Sequence, residues 1–81
     1  MSYAERLAHL TVKEDGFLFD PTSGDTYVAN PTALVVVRTL QEGGDEAAAA
    51  AALIDRFDVT EIEALRDVAD LCARLQTWQL L

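Results

Sequence analysis

The sequence predicts an α+β fold in which three short antiparallel strands are followed by three helices. Three observations carry that expectation. The stretch from Gly16 to Pro31, GFLFDPTSGDTYVANP, places β-forming residues on both sides of turn residues and then starts a helix. Gly43-Gly44 punctuates the chain after an apolar segment. Two further segments, 46–57 and 60–77, carry apolar residues at helical spacing, each behind a capping residue.

Met1 to Glu5 is expected to be a loose terminus. Leu7 to Val12 suits a helical turn or a strand by pattern alone. Its second half is read as a strand because of the turn that follows, and the alternation of Leu10-Thr11-Val12-Lys13 gives a strand over about 8–13 with Leu10 and Val12 on one face. Asp15-Gly16 is a two-residue hairpin signal. Phe17-Leu18-Phe19 suits a half-buried pleated surface and predicts a strand over 16–20. Asp20-Pro21 supplies the next turn: proline presets φ, and the Asp20 carboxylate accepts from the turn backbone. Gly24 supplies freedom for positive φ. Thr26-Tyr27-Val28 resumes the sheet, giving a third strand over 25–29.

Asn30-Pro31 then launches a helix, asparagine as N-cap and proline at the first helical position. Leu34, Val35, Val36, Val37 and Leu40 make that helix, 31–42, apolar nearly all round, so it should be central and buried. Three consecutive valines favour a strand by propensity, but the Asn-Pro start and the Gly-Gly stop outweigh them. Asp45 caps the next helix, whose six alanines, Ala47 to Ala52, permit close backbone approach. Thr60 and Glu63 form a capping box for the last helix. Its apolar residues cover more than one stripe, so the excess packs under the sheet or lines a groove.

Eighty-one residues predict one domain, 1–81, with a thin stability margin. Fourteen acids against six bases give a net charge of −8, which repels phosphate backbones and favours a basic protein or peptide segment as partner. Nucleic acid is not expected as a partner, and neither is a membrane, because no apolar run approaches the roughly 20 residues that span a bilayer. The first residues, MSYAERLAHL, do not read as a signal peptide, and the simplest reading is a cytoplasmic protein. Cys72 is the only cysteine and His9 the only histidine, so neither a disulfide framework nor a zinc site is expected. No paired-carboxylate, phosphate-loop or nucleophile-triad motif appears, and no metal or cofactor is implied.

The order of elements resembles a small winged-helix domain. The segments GFLFDPTSGDTYVANPTALVVVRTLQEGG and LIDRFDVTEIEALRDVADLCARLQTWQLL resemble the PqqD family, the precursor-binding domains called RiPP recognition elements. The shared features are a strand ending in Asp before a turn, Tyr-x-x-Asn at the first helix, RFDV between the last two helices, Asp-Val in the last helix and a terminal Leu-Leu. The likeness runs from about Leu10 to Leu81. Two positions depart from it. Gln79 stands where the family usually has glycine, so the C-terminal turn is expected to differ, and Ala29 stands where leucine is common.

The resemblance implies a leader-peptide chaperone that hands a precursor to a modifying enzyme such as a radical-SAM enzyme, protease or ligase. It implies that the leader adds as a strand beside Asp25, Thr26, Tyr27 and Val28, with its apolar residues against Asp67, Val68, Leu71, Cys72, Arg74 and Leu75 of the last helix. Strand addition of this kind takes affinity from unpaired backbone groups and specificity from side-chain pockets. A monomer or weak homodimer is expected.

Read without the resemblance, Cys72 is a small buried hydrophobe, since no His or Lys lies near it in sequence. His9 is a surface or strand-edge residue. Glu61 and Glu63 complement a helix N-terminus, and Asp67 is the acid retained as a contact candidate. Tyr27 either stacks on a partner or packs in the core. Two other function classes stand beside the adaptor. A winged-helix DNA binder would set Glu61, Glu63, Asp67 and Asp70 against phosphates, and a small enzyme lacks a catalytic constellation. Leu71→Asp is expected to weaken peptide binding with the fold largely intact.

Overall fold

Local signals account for most of the element boundaries. The computed structural model describes residues 2–81, so the expectation for Met1 lies outside the described residues. In chain order the elements are α1 (Tyr3–Leu7), β1 (Thr11–Val12), β2 (Phe17–Asp20), β3 (Asp25–Val28), α2 (Pro31–Gln41), α3 (Glu46–Arg56) and α4 (Glu61–Thr77). The three strands followed by three helices are those expected, but a short helix precedes them.

That helix replaces the expected loose terminus. Ser2 caps it by accepting from the Glu5 N–H at 3.2 Å, and its hydroxyl also reaches the Glu5 carboxylate. Ser2-x-x-Glu5 is a capping-box spacing that a closer reading of the terminus would have found. The segment is then tied down at long range. The Gln41 side-chain amide donates to the Leu7 and Leu10 carbonyls at 3.0 and 2.9 Å, and the Tyr3 hydroxyl donates to Glu46 at 2.7 Å. These bonds also fit a β1 that starts at Thr11 rather than at 8: the Leu7 and Leu10 carbonyls are held by α2 instead of pairing in the sheet.

The sheet order is β1-β2-β3, all antiparallel. Its first connection is a three-residue loop, not the expected two-residue turn. The Lys13 N–H donates to the Phe17 carbonyl, and Glu14-Asp15-Gly16 lies between them, with Gly16 at φ 97°. That is the positive-φ residue a three-residue hairpin requires. The second connection is built on Asp20, whose carboxylate accepts from the Thr22 N–H at 2.9 Å and the Ser23 hydroxyl at 3.1 Å. Burial would raise the Asp20 carboxyl, but these hydrogen bonds and nearby His9 hold it below its ordinary value.

Register assigns the two sheet faces. Leu18 stands opposite Val12 and Tyr27, and these residues face the helices. Phe19 stands opposite Thr11 and Thr26, and Phe17 opposite Val28, on the other face. The core lies between the inner face and the helices. Leu7, Leu18, Val37, Leu40, Leu53 and Leu75 are among its fully buried members.

α2 is the central helix expected. Val36, Val37 and Leu40 are buried, and Asn30 accepts from the Ala33 N–H at 2.8 Å. α3 begins at its Asp45 cap and buries Ala49, Ala50 and Leu53, whereas Ile54 faces outward. α4 carries the expected capping box, Thr60 and Glu63 bonding each other's backbone N–H at 3.2 Å. That backbone bond is the main reason the Glu63 carboxyl sits below its ordinary value. Among the described residues, no helix is long and apolar enough to cross a membrane.

Candidate functional site

The sheet leaves β3 with one neighbour. It pairs with β2 alone, so one side of the strand is an edge. Backbone alternation identifies the free groups. The Ala29 N–H donates to the Gly16 carbonyl at 2.7 Å, so the backbone groups of 29, 27 and 25 point toward β2. Those of Thr26 and Val28 therefore point away from the sheet. Asp25, Thr26 and Val28 are exposed.

A trough runs between this edge and α4. Its larger part, a cavity of about 260 Å³, is walled by Leu18, Val28, Ala29, Ala33, Leu71 and Trp78. A second cavity of about 130 Å³ includes Thr32, Asp67 and Asp70 in its lining. Asn30, Ala33, Leu71 and Arg74 line both, which joins them end to end. The apolar part thus lies nearest β3, and the acids lie further along α4.

One wall depends on the helix end. Trp78 stacks on Tyr27 with ring centroids 4.6 Å apart and planes at 22°. That contact spends the Tyr27 ring within the chain, in line with its reading as a packed aromatic. Burial, then the charges of Asp25 and Asp20, raise its phenol pKa. Trp78 is placed by the turn that ends α4. The Leu80 N–H donates to Leu75 O at 2.8 Å and the Gln79 N–H to Gln76 O at 3.0 Å. The Leu80 bond reaches back five residues and requires a left-handed residue just before Leu80, and Gln79 supplies it at φ 61°. The turn is therefore of the type that glycine ordinarily takes, with glutamine in its place.

The residues named from sequence fall into three groups. Val28, Asp67, Leu71 and Arg74 line the trough. Asp25, Thr26 and Tyr27 belong to the β3 edge beside it. Val68, Cys72 and Leu75 are buried and line neither cavity, so they hold α4 in the core rather than face the trough. Leu71 is itself 4% exposed, so an aspartate there would enter the core, and Leu71→Asp would not leave the fold intact. Burial, then the charge of Glu46, raise the Cys72 thiol pKa, which suits an inert core thiol.

Sequence reasoning missed Leu18, Ala33, Asn30 and Trp78 as lining residues. Trp78 was findable, because 71, 74 and 78 recur at helical spacing on one flank of α4. Asn30 was assigned only its capping role. The exposed Ile62 and Leu65 lie on the opposite flank of α4. Among the described residues, no group of three or more His, Cys, Asp or Glu side chains converges in a way that could hold a metal ion.

Among curated proteins none matches this chain. Among solved structures, it is similar to a lasso peptide synthetase B1 complexed with the leader peptide. The two are 30% identical with a TM-score of 0.71, over 84% of this chain and 81% of that one. Residues 15–81 match the family profile described as coenzyme PQQ synthesis protein D. With its edge strand, capped helices and C-terminal turn all inside or beside that span, the chain belongs to the PqqD family.

Proposed function

We propose that this chain binds the leader segment of a ribosomally made precursor peptide by strand addition at β3 and presents it to a modifying enzyme. The observation that carries this reading is the free β3 edge lying along an apolar trough. Thr26 and Val28 offer outward N–H and C=O groups, and Leu71, Ala33 and Trp78 offer an adjoining apolar wall. Main-chain bonds then give affinity, and the pocket gives specificity. The similar structure named for its leader-peptide complex supports the same assignment.

The chain acts as an adaptor, with no chemistry of its own, and residues 1–81 serve as one binding unit. Contacts come from Asp25, Thr26 and Val28 at the edge and from Asp67, Leu71 and Arg74 on α4. Val68, Cys72 and Leu75 contribute by fixing the helix. Asp67 and Asp70 at the far end of the trough, on a chain of net charge −8, favour a leader with a cationic side chain there.

A heteronuclear NMR titration with a synthetic leader peptide tests the reading. Amide shifts should cluster at 25–29 and 67–78. Shifts confined to α3, or to the turn around Asp15 and Gly16, would falsify the assignment.

A further inference from the structure

The outer face of the sheet is apolar and bare. Phe17 is 42% exposed and Val28 74%, and they stand directly opposite each other on β2 and β3. Phe19 continues the same face toward β1. Helices cover only the inner face. Val28 joins this surface to the trough, because it sits on the outer face and also at the rim of the 260 Å³ cavity.

Strand geometry decides what an added segment would do here. In a strand added antiparallel to β3, the residue bonded to the outward N–H and C=O of Val28 lies directly opposite it, and its side chain points to the outer face. The residues before and after it point inward, toward Leu18, Ala29, Leu71 and Trp78. The inner cavity is large enough for a bulky side chain, since an apolar cavity of about 150 Å³ already holds benzene. The outer position offers Val28 and, behind it, Phe17. Both faces of the same added strand therefore meet apolar surface.

We propose that the leader is read on both faces of the strand it adds. One side chain enters the cavity beside Trp78, and the neighbouring one packs outward on Val28 and Phe17. The segment this domain selects accordingly carries apolar side chains at consecutive positions, not only at alternate ones. This rests on the strand-addition reading above and adds the chemistry of the segment to it.

The test uses a displayed library of random peptides selected against the intact chain and against Val28→Lys. Peptides selected by the natural chain should show apolar residues at adjacent positions. On Val28→Lys the inward preference should persist while the outward one is lost. A synthetic copy of the best peptide should bind Val28→Thr, an isosteric change at an exposed position, roughly two- to fivefold more weakly. Apolar preference restricted to alternate positions, or an unchanged Kd for Val28→Thr, overturns two-faced reading. If the selected peptides move no amide between 25 and 29, strand addition itself is wrong, and the two failures are thus separable.

Discussion

Replacing Gln79 by glycine should stabilise the protein. Gln79 holds φ at 61°, the only described residue other than glycine with a positive φ. A left-handed conformation costs an L-residue roughly 1–2 kcal/mol, through Cβ crowding against the carbonyl. Glycine removes that cost but gives back about 0.4–1 kcal/mol through the greater freedom of the unfolded chain. The exposed Gln79 side chain makes no hydrogen bond to another described residue, so little else changes. The net gain is about 0.5–1 kcal/mol, which for a domain of this size raises Tm by about 2–8 °C. Thermal melts followed by circular dichroism provide the assay, with Gln79→Ala as a control that keeps Cβ. Alanine should gain nothing, because the penalty belongs to Cβ and not to the amide. Equal melting temperatures for the natural chain and Gln79→Gly would refute the reasoning. They would show that the strain is relieved elsewhere in the turn formed by Leu75, Gln76 and Leu80.

Gly16→Ala should act in the opposite sense. A Cβ there would lie 2.7 Å from the Ala29 carbonyl oxygen, at φ 97°, so a loss of about 1–2 kcal/mol or more in urea unfolding is expected, and an unchanged midpoint would contradict the close approach. Val37→Asp should abolish cooperative unfolding, since Val37 is fully buried and an unpaired charge costs a large part of the roughly 4–12 kcal/mol available to a chain of this length. Acid should destabilise through Asp20 and Glu63. Their folded pKa values lie below the ordinary 3.8 and 4.5, so the stability they supply is complete above those values and is lost as pH falls through the folded ones. Asp20→Asn should therefore lose less stability than the natural chain below pH 3.8, and parallel acid profiles would count against it. The domain should not retard a random DNA duplex in a low-salt gel shift, given a net charge of −8.

The features read correctly from the chain share one property: their partners lie within a few residues. Asn30 bonds Ala33, Asp45 bonds Ala48, Thr60 bonds Glu63, and Asp20 bonds Thr22 and Ser23. Such contacts need only local geometry, so residue type and spacing identify them. The same logic applied to Ser2 and Glu5 would have found α1. The hairpin loop shows the limit of this reading, because Asp15-Gly16 serves a three-residue loop as well as a two-residue one, and pairing of Lys13 with Phe17 decides between them.

Other features depend on residues far apart in sequence. β1 begins only at Thr11, with Gln41 holding the carbonyls of Leu7 and Leu10, and no local pattern announces that bond. The α4 residues 68, 71, 72 and 75 share a helical side by periodicity alone. Which of them meets the core and which meets the trough was set by the rotation of α4 against its neighbours. That rotation buries Val68, Cys72 and Leu75, brings Leu71 and Arg74 to the trough, and sets Trp78 on Tyr27. Helical spacing carries an angle about the helix axis but no reference direction. Only packing against α2, α3 and the sheet supplies one.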